Sequence, residues 1–344
     1  MHKRHRLALI GLGMGSTPHA QSLNDLAERV EVAAACTRSV ERARAFGERF
    51  AFPISHDLDA IAADASINSV LIATPPNSHL ELVTQFAKAG KHILLEKPLD
   101  VSIARAEALV ETCARCKVWL GVVFQHRFRS ASLQLRKLVQ SGALGRIAIA
   151  NVYVPWWRPQ SYYDVPGRGT LARDGGGVLI TQAIHTLDLY LSLIEGVEEV
   201  MAYATTSPLH RMETEDVVSA ALRLRGGGIG TLAASSASYP GFEESIELIG
   251  TLGTARLQGA ALQVQFQDGR SESAGAAAAT GGGADPMAFT NEAHRAVLAE
   301  FLDAIEQGRD PVNSGRAGLK VHRLIAALLE SARQRGPVAV AVDA

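Results

Sequence analysis

Three cysteines in 344 residues are too few for a disulfide framework, so the chain is expected in a reducing compartment, the cytoplasm by default. An excess of either charge is missing too. The 34 Lys and Arg against 35 Asp and Glu leave a net −1, which gives no field for nucleic acid or a membrane surface. Long apolar runs are lacking. The basic tip His2-Lys3-Arg4-His5-Arg6 is followed only by Leu7 to Ile10 before glycine intervenes, too short for a signal-peptide core. No stretch approaches the roughly 18 apolar residues of a membrane span. The G-x-S-x-G elbow of serine hydrolases is absent. Among 11 histidines no H-x-x-x-H pair has a carboxylate companion, so no metal site is expected. Cys113-x-x-Cys116 supplies half a zinc site at most and lies late in an expected helix.

What is present is enough apolar residue, 47%, to bury the cores of two domains. Short turn-bounded apolar runs at 7–10, 30–36, 69–73, 92–95 and 118–123 read as buried strands, with helices expected at 19–28, 40–50, 80–89 and 103–116. This alternation predicts a doubly wound parallel sheet, the Rossmann arrangement, over residues 1–124. The pattern then changes. A helix at 131–141 and a strand at 147–154 lead to an aromatic and arginine-rich stretch, a glycine run and a helix at 179–194. Closely spaced strands follow at 199–205, 217–225, 229–235, 245–250, 254–258 and 262–267, then an Ala/Gly loop at 274–284 and helices at 292–307 and 315–335. Residues 125–344 therefore read as an α+β domain on a predominantly antiparallel open sheet. One uncovered sheet face would need burial, which predicts a homodimer or homotetramer.

Gly11-Leu12-Gly13-Met14-Gly15-Ser16 sits between the first strand and first helix, where the dinucleotide fingerprint belongs. Gly11 permits the tight turn, and Gly13, with Met14 and Gly15, lets the backbone approach a pyrophosphate at the helix N-terminus. Ser16 replaces the third glycine. The second strand ends Cys36-Thr37-Arg38-Ser39 without the carboxylate that usually receives the NAD ribose. Arg38 suits a 2′-phosphate and Thr37 and Ser39 can hydrogen-bond one, so NADP(H) is favoured, with NAD(H) as the alternative. The bland reading of Arg38 is a solvated side chain stacking on adenine.

Further motifs follow in order: Ala73-Thr74-Pro75-Pro76-Asn77-Ser78-His79, then Glu96-Lys97-Pro98, then Gly175-Gly176-Gly177 with His185-Thr186-Leu187-Asp188. This ordered set resembles the Gfo/Idh/MocA oxidoreductases, from Leu7 to Ser331-Ala332-Arg333. The resemblance implies that Lys97 acts at the reacting hydroxyl, relaying its proton or stabilising alkoxide charge, with Glu96 shaping the turn beside the nicotinamide. It implies likewise that Thr74, Pro75, Asn77 and His79 pass over the ribose and nicotinamide. His185 is the second proton-transfer candidate, and Asp188, three residues on, is expected to orient its imidazole. Inositol dehydrogenase-like members carry Asp one turn earlier. Here Thr181 stands there, followed by Gln182, so that the segment resembles a Thr-Gln-x-x-His subgroup of sugar or polyol dehydrogenases and a whole Lys–Asp–His triad does not carry over.

Trp157, Arg158 and Arg168 resemble that subgroup's substrate loop, and aromatic faces with guanidinium groups suit sugars or anionic substituents; interface or core roles suit them equally. Gln125, His126 and Arg127 follow the last Rossmann strand, and Arg127 could bind a substrate carboxylate or merely hold structure. The expected activity is hydride transfer between a secondary alcohol carbon of a sugar, polyol or related cyclic alcohol and NAD(P). The alternatives are a redox-assisted glycoside hydrolase that retains its dinucleotide, and a non-catalytic dinucleotide sensor.

Overall fold

The computed structural model describes residues 4–276, 283 and 289–342. The chain divides into two units, Met1–Gln125 with Thr290–Leu319, and His126–Phe289 with Lys320–Ala344. The sequence reading placed everything beyond 124 in the second domain. Instead, residues 290–319 return to the first unit, because the helix they carry buries its apolar stripe there.

In the first unit, β1 (His5–Ile10), β2 (Val30–Cys36), β3 (Ile54–Ser55), β4 (Ser69–Ile72), β5 (His92–Leu95) and β6 (Leu120–Val122) form a parallel sheet in the order β3-β2-β1-β4-β5-β6. Leu7, Leu9, Val70, Leu71, Ile93 and Leu94 are fully buried, as expected of strands covered on both faces. Each such side chain stabilises the fold by about 1.5–3 kcal/mol relative to exposure. The helices α1 (Thr17–Asp25), α2 (Val40–Gly47), α3 (Leu58–Ala63), α4 (His79–Lys88) and α5 (Ile103–Arg115) connect the strands. Ser39, Asp57 and Ser102 cap α2, α3 and α5 by accepting a backbone N–H. β3 and α3 escaped the sequence reading because a two-residue strand carries no periodicity.

The second unit holds α6 (Ser130–Gln140), β7 (Ile147–Pro155), the short α7 (Gln160–Tyr163) and α8 (Leu171–Asp174), and α9 (Ile184–Leu193). Its remaining strands are β8 (Val197–Thr205), β9 (Val217–Leu224), β10 (Ile229–Ser235), β11 (Ser245–Gly250), β12 (Gly253–Gln258), β13 (Ala261–Phe266), β14 (Ser271–Gly275) and β15 (Val338–Ala339). They form a nine-stranded sheet, β14-β13-β12-β11-β7-β10-β9-β8-β15, antiparallel except where β10 runs parallel to β7. α6 and α9 cover one face. The strands alternate buried and exposed residues, and Tyr153, Ala233, Ser219 and Tyr203 lie in register across the other face. The chain closes with α10 (Glu292–Gln307) and α11 (Gly315–Gln334). α10 packs on α1 and β5 through His294, Val297, Leu298, Phe301 and Leu302, the i, i+3, i+4, i+7, i+8 stripe of one helix face.

Two expected elements differ. Ala274 and Gly275 of the supposed loop pair with Leu262 and Ala261 as the end of β14, while 277–282 and 284 lie outside the described residues. The expected helix 179–194 opens with a π-helical turn, Leu179–Ala183, before α9 begins. There the Thr181 hydroxyl donates to the Gly177 carbonyl, a local bond that competes with regular helix.

Candidate active site

The glycine loop follows β1 directly. Gly11 has φ +95°, and a Cβ on it would lie 2.7 Å from the Ala73 carbonyl oxygen, so only glycine fits. A Cβ on Gly13 or Gly15 would meet nothing within 4 Å, which leaves the loop's outer side open to a close-approaching ligand. Ser16 is buried and its hydroxyl donates to the Gly13 carbonyl at 2.7 Å, so it braces the turn in place of the third glycine. No side chain caps the start of α1. The open glycines ahead of its N-terminus fit a pyrophosphate. Met14 is exposed beside them. At the end of β2, Arg38 is exposed, Thr37 Oγ1 accepts the Ser39 N–H, and Ser39 caps α2 and donates to Glu41.

Two turns stand at the carboxyl ends of β4 and β5. In the first, Thr74 and Ser78 share a hydroxyl hydrogen bond of 2.8 Å, and Pro75 and Asn77 are exposed. His79 was expected over the cofactor. It is instead fully buried: Nε2 lies 2.9 Å from the Thr74 carbonyl, and Nδ1 lies 3.0 and 3.1 Å from those of Pro98 and Leu99. Burial pulls its pKa down, against the pull of those carbonyls upward. The ring therefore ties the two turns together. Arg105 adds a second tie, holding Asp100 and Glu81 and donating to the Asn77 carbonyl. The second turn presents Lys97, half-buried, just before the cis Lys97–Pro98 bond, and its N–H donates to Glu96 Oε2 at 3.1 Å.

The other oxygen of Glu96 lies 2.5 Å from His19 Nε2, and His294 completes a cluster whose donor atoms all lie within 4.8 Å. Burial acts to raise the Glu96 pKa, but its bond to His19, with His294 and Lys97, brings it below the ordinary carboxylate value. No spacing rule joins positions 19, 96 and 294, so the sequence screen for metal ligands passed over them. The other set-aside pair behaves as expected of a packed thiol: burial pushes Cys113 up to about 12, which suppresses its thiolate.

In the second unit, Gly177 abuts the chain at Glu215: a Cβ there would lie 1.8 Å from the Glu215 carbonyl oxygen. The buried Glu215 carboxylate accepts the N–H groups of Gly177 and Leu179 at 3.1 and 3.2 Å, and so caps the π-helical turn. Sequence reasoning missed Glu215, since it is brought in from the far end of the β8–β9 connection. His185 follows in the first turn of α9, nearly buried, with its ring 5.1 Å from that of His126. Asp188 was expected to orient His185. The structure gives its carboxylate to Arg127, with Nη2 donating to Oδ1 at 2.6 Å and Nε to Oδ2 in a fork. Arg127 thus spends Nε and Nη2 on Asp188. Thr181 is partly buried, hydrogen-bonded to Gly177 and beside Gln182. A second buried pair, Arg129 and Glu244, holds His126 and the Trp156 indole N–H, and neither charged residue had a sequence signal.

The aromatic loop is largely interior. Trp157 meets Tyr239 edge-on at 5.4 Å, and Arg158, nearly buried, donates to the carbonyls of Trp157 and Gly283. Arg158 therefore holds backbone, and desolvation lowers its pKa. Arg168 lies half-buried over the Tyr162 ring at 4.0 Å. Gln125 closes the first unit, with a buried Oε1 that no hydrogen bond reaches.

An open glycine loop between β1 and the first helix, on a sheet of this strand order, is the arrangement of a dinucleotide-binding domain. Residues 5–124 match the oxidoreductase family with an NAD-binding Rossmann fold, and 132–256 match the GFO/IDH/MocA C-terminal domain. The chain belongs to the Gfo/Idh/MocA family and is an NAD(P)-dependent oxidoreductase. It is 28% identical to inositol 2-dehydrogenase of Rhizobium meliloti, covering 98% of this chain and 99% of that one. It is 29% identical to D-apiose dehydrogenase of Paraburkholderia graminis, covering 96% and 88%. Among solved structures, the WlbA dehydrogenase from Bordetella pertussis, in complex with NADH and UDP-GlcNAcA, is 30% identical over 99% of this chain and 100% of that chain, with a TM-score of 0.84.

Proposed function

We propose that the protein reversibly oxidises a secondary alcohol carbon of a sugar, polyol or related cyclic alcohol, with NADP(H) as preferred cofactor. When bound, the nicotinamide takes up or returns the hydride. Gly11, Gly13, Met14 and Gly15 would hold the pyrophosphate, Thr37 and Arg38 the adenosine ribose, and Thr74, Pro75, Asn77, Glu96 and Lys97 the nicotinamide side. Lys97 and His185 exchange the hydroxyl proton, and Lys97 also stabilises negative charge on that oxygen. Gln125, Thr181 and Arg168 complete the substrate contacts. The carrying observation is the fixed presentation of Lys97: Glu96 holds its backbone, while His79 and Arg105 tie its turn to the 74–79 turn. The inositol and apiose dehydrogenases, similar over nearly their whole length, support the substrate class.

A second reading of the cofactor, NAD(H), has its own observation. Glu41 lies against Ser39, beside the expected 2′-position. No helix among the described residues is long and apolar enough to cross a membrane.

The test is kinetic. Lys97→Ala and His185→Ala should each lower kcat by about 10²–10⁴-fold in a polyol and sugar screen, with dinucleotide affinity nearly unchanged. Full turnover in both variants overturns the assignment. Turnover without net cofactor reduction would point to the retained-dinucleotide hydrolase, and dinucleotide binding without turnover on any substrate to the sensor.

A further inference from the structure

We propose that His19, Glu96 and His294 form a binding site for a borderline-soft divalent metal ion, Zn²⁺ in the first place. The three donors come from three elements of one unit: the first turns of α1, the end of β5 and the start of α10. His19 and His294 are buried and Glu96 is partly so, with all three donor atoms within 4.8 Å of one another. Two imidazoles and one carboxylate are the donor set of zinc centres that keep a position open, whereas Mg²⁺ and Ca²⁺ seek oxygen alone.

The geometry is within reach of side-chain rotation. Bonds of about 2.0–2.1 Å in a tetrahedral site separate neighbouring donors by roughly 3.3 Å. The His19–Glu96 pair would open from 2.5 Å, and the widest pair would close from at most 4.8 Å. The His19 and His294 rings stand at 81° with centroids 5.2 Å apart, so small rotations about their side-chain torsions bring the nitrogens to a common point. Glu96 is already oriented from behind, because its second oxygen accepts the Lys97 N–H. A hydrogen-bonded His19–Glu96 pair would need no second imidazole. His294 adds one from a helix whose neighbouring inward positions are Val297, Leu298 and Phe301. An ion there would replace the proton shared by His19 and Glu96. It would also bridge the dinucleotide-binding helix to the strand that presents Lys97.

The test uses the full chain, stripped with a chelator and titrated with Co²⁺ and then Zn²⁺, with and without dinucleotide. One equivalent of Co²⁺ should bind with the visible absorption of a low-coordinate N/O site, Zn²⁺ should displace it, and the thermal midpoint should rise reversibly. His294→Gln and His19→Gln should each weaken Co²⁺ binding by at least about tenfold, with circular dichroism unchanged. If His19→Gln fails to fold, His294→Gln and the wild-type spectrum decide. No stoichiometric uptake, wild-type affinity in His294→Gln, or loss of binding on His2→Ala instead, which would place the ion at the basic tip, each overturns the proposal. None of these readouts depends on finding the alcohol substrate.

Discussion

Arg38 is the residue on which the cofactor preference turns. It is exposed at the end of β2, and among the described residues it makes no hydrogen bond or ion pair, so its guanidinium is available to a ligand. Thr37 and Ser39 are less available than their sequence position suggested, since one accepts a backbone N–H and the other caps α2. A charge-assisted bond to a 2′-phosphate is worth about 1.5–3 kcal/mol, or roughly ten- to hundredfold in affinity. Arg38→Ala should therefore weaken NADPH by at least about tenfold and leave NADH nearly unaffected, as read by fluorescence titration. Equal losses for both would mean adenine stacking instead. Tighter NADH binding by the unaltered chain would reverse the preference.

Among the elements, the turn after β6 and helix α9 are joined by a buried charge pair. Asp188 is fully buried, and its pKa is raised because desolvation outweighs the attraction of Arg127. A carboxyl whose folded pKa exceeds its unfolded value stabilises the fold most at low pH, and that contribution is lost as pH rises through the folded value. Removing Arg127 raises the Asp188 pKa further. Arg127→Leu should therefore cost about 3–5 kcal/mol near neutral pH, the penalty of an uncompensated buried charge. The cost should shrink as pH falls towards the ordinary carboxyl range near about 4, where Asp188 enters the fold protonated. Urea unfolding at several pH values measures this; a loss independent of pH would show that Arg127 acts through packing alone.

At the scale of the molecule, the second unit's sheet has helices on one face and a row of exposed side chains on the other. Tyr203, Ile229, Tyr153 and Met201 all stand on that open face. We propose that a second copy of the chain covers it, since exposed apolar patches of this kind mark interaction surfaces. Light scattering should give a multiple of the chain mass, and Tyr203→Glu combined with Ile229→Asp should reduce it. A monomer at micromolar concentration in the unaltered protein would refute this.

The alternation of strands and helices in residues 5–124, the run of strands beyond it and the glycine loop were legible because they are local. Burial on both faces writes continuous apolar runs, one covered face writes alternation, and a turn at φ +95° against the Ala73 carbonyl requires Gly11. The sequence alone thus determined the fold class, the dinucleotide chemistry and the turn bearing Lys97. Only the tertiary structure decided which side chains meet. It gave Asp188 to Arg127 and not to His185, turned His79 inward as a tie, brought Glu215 under Gly177, and gathered His19, Glu96 and His294 around one point. Such contacts depend on how distant elements pack, and hydrophobic period and turn chemistry carry no record of distances across the chain.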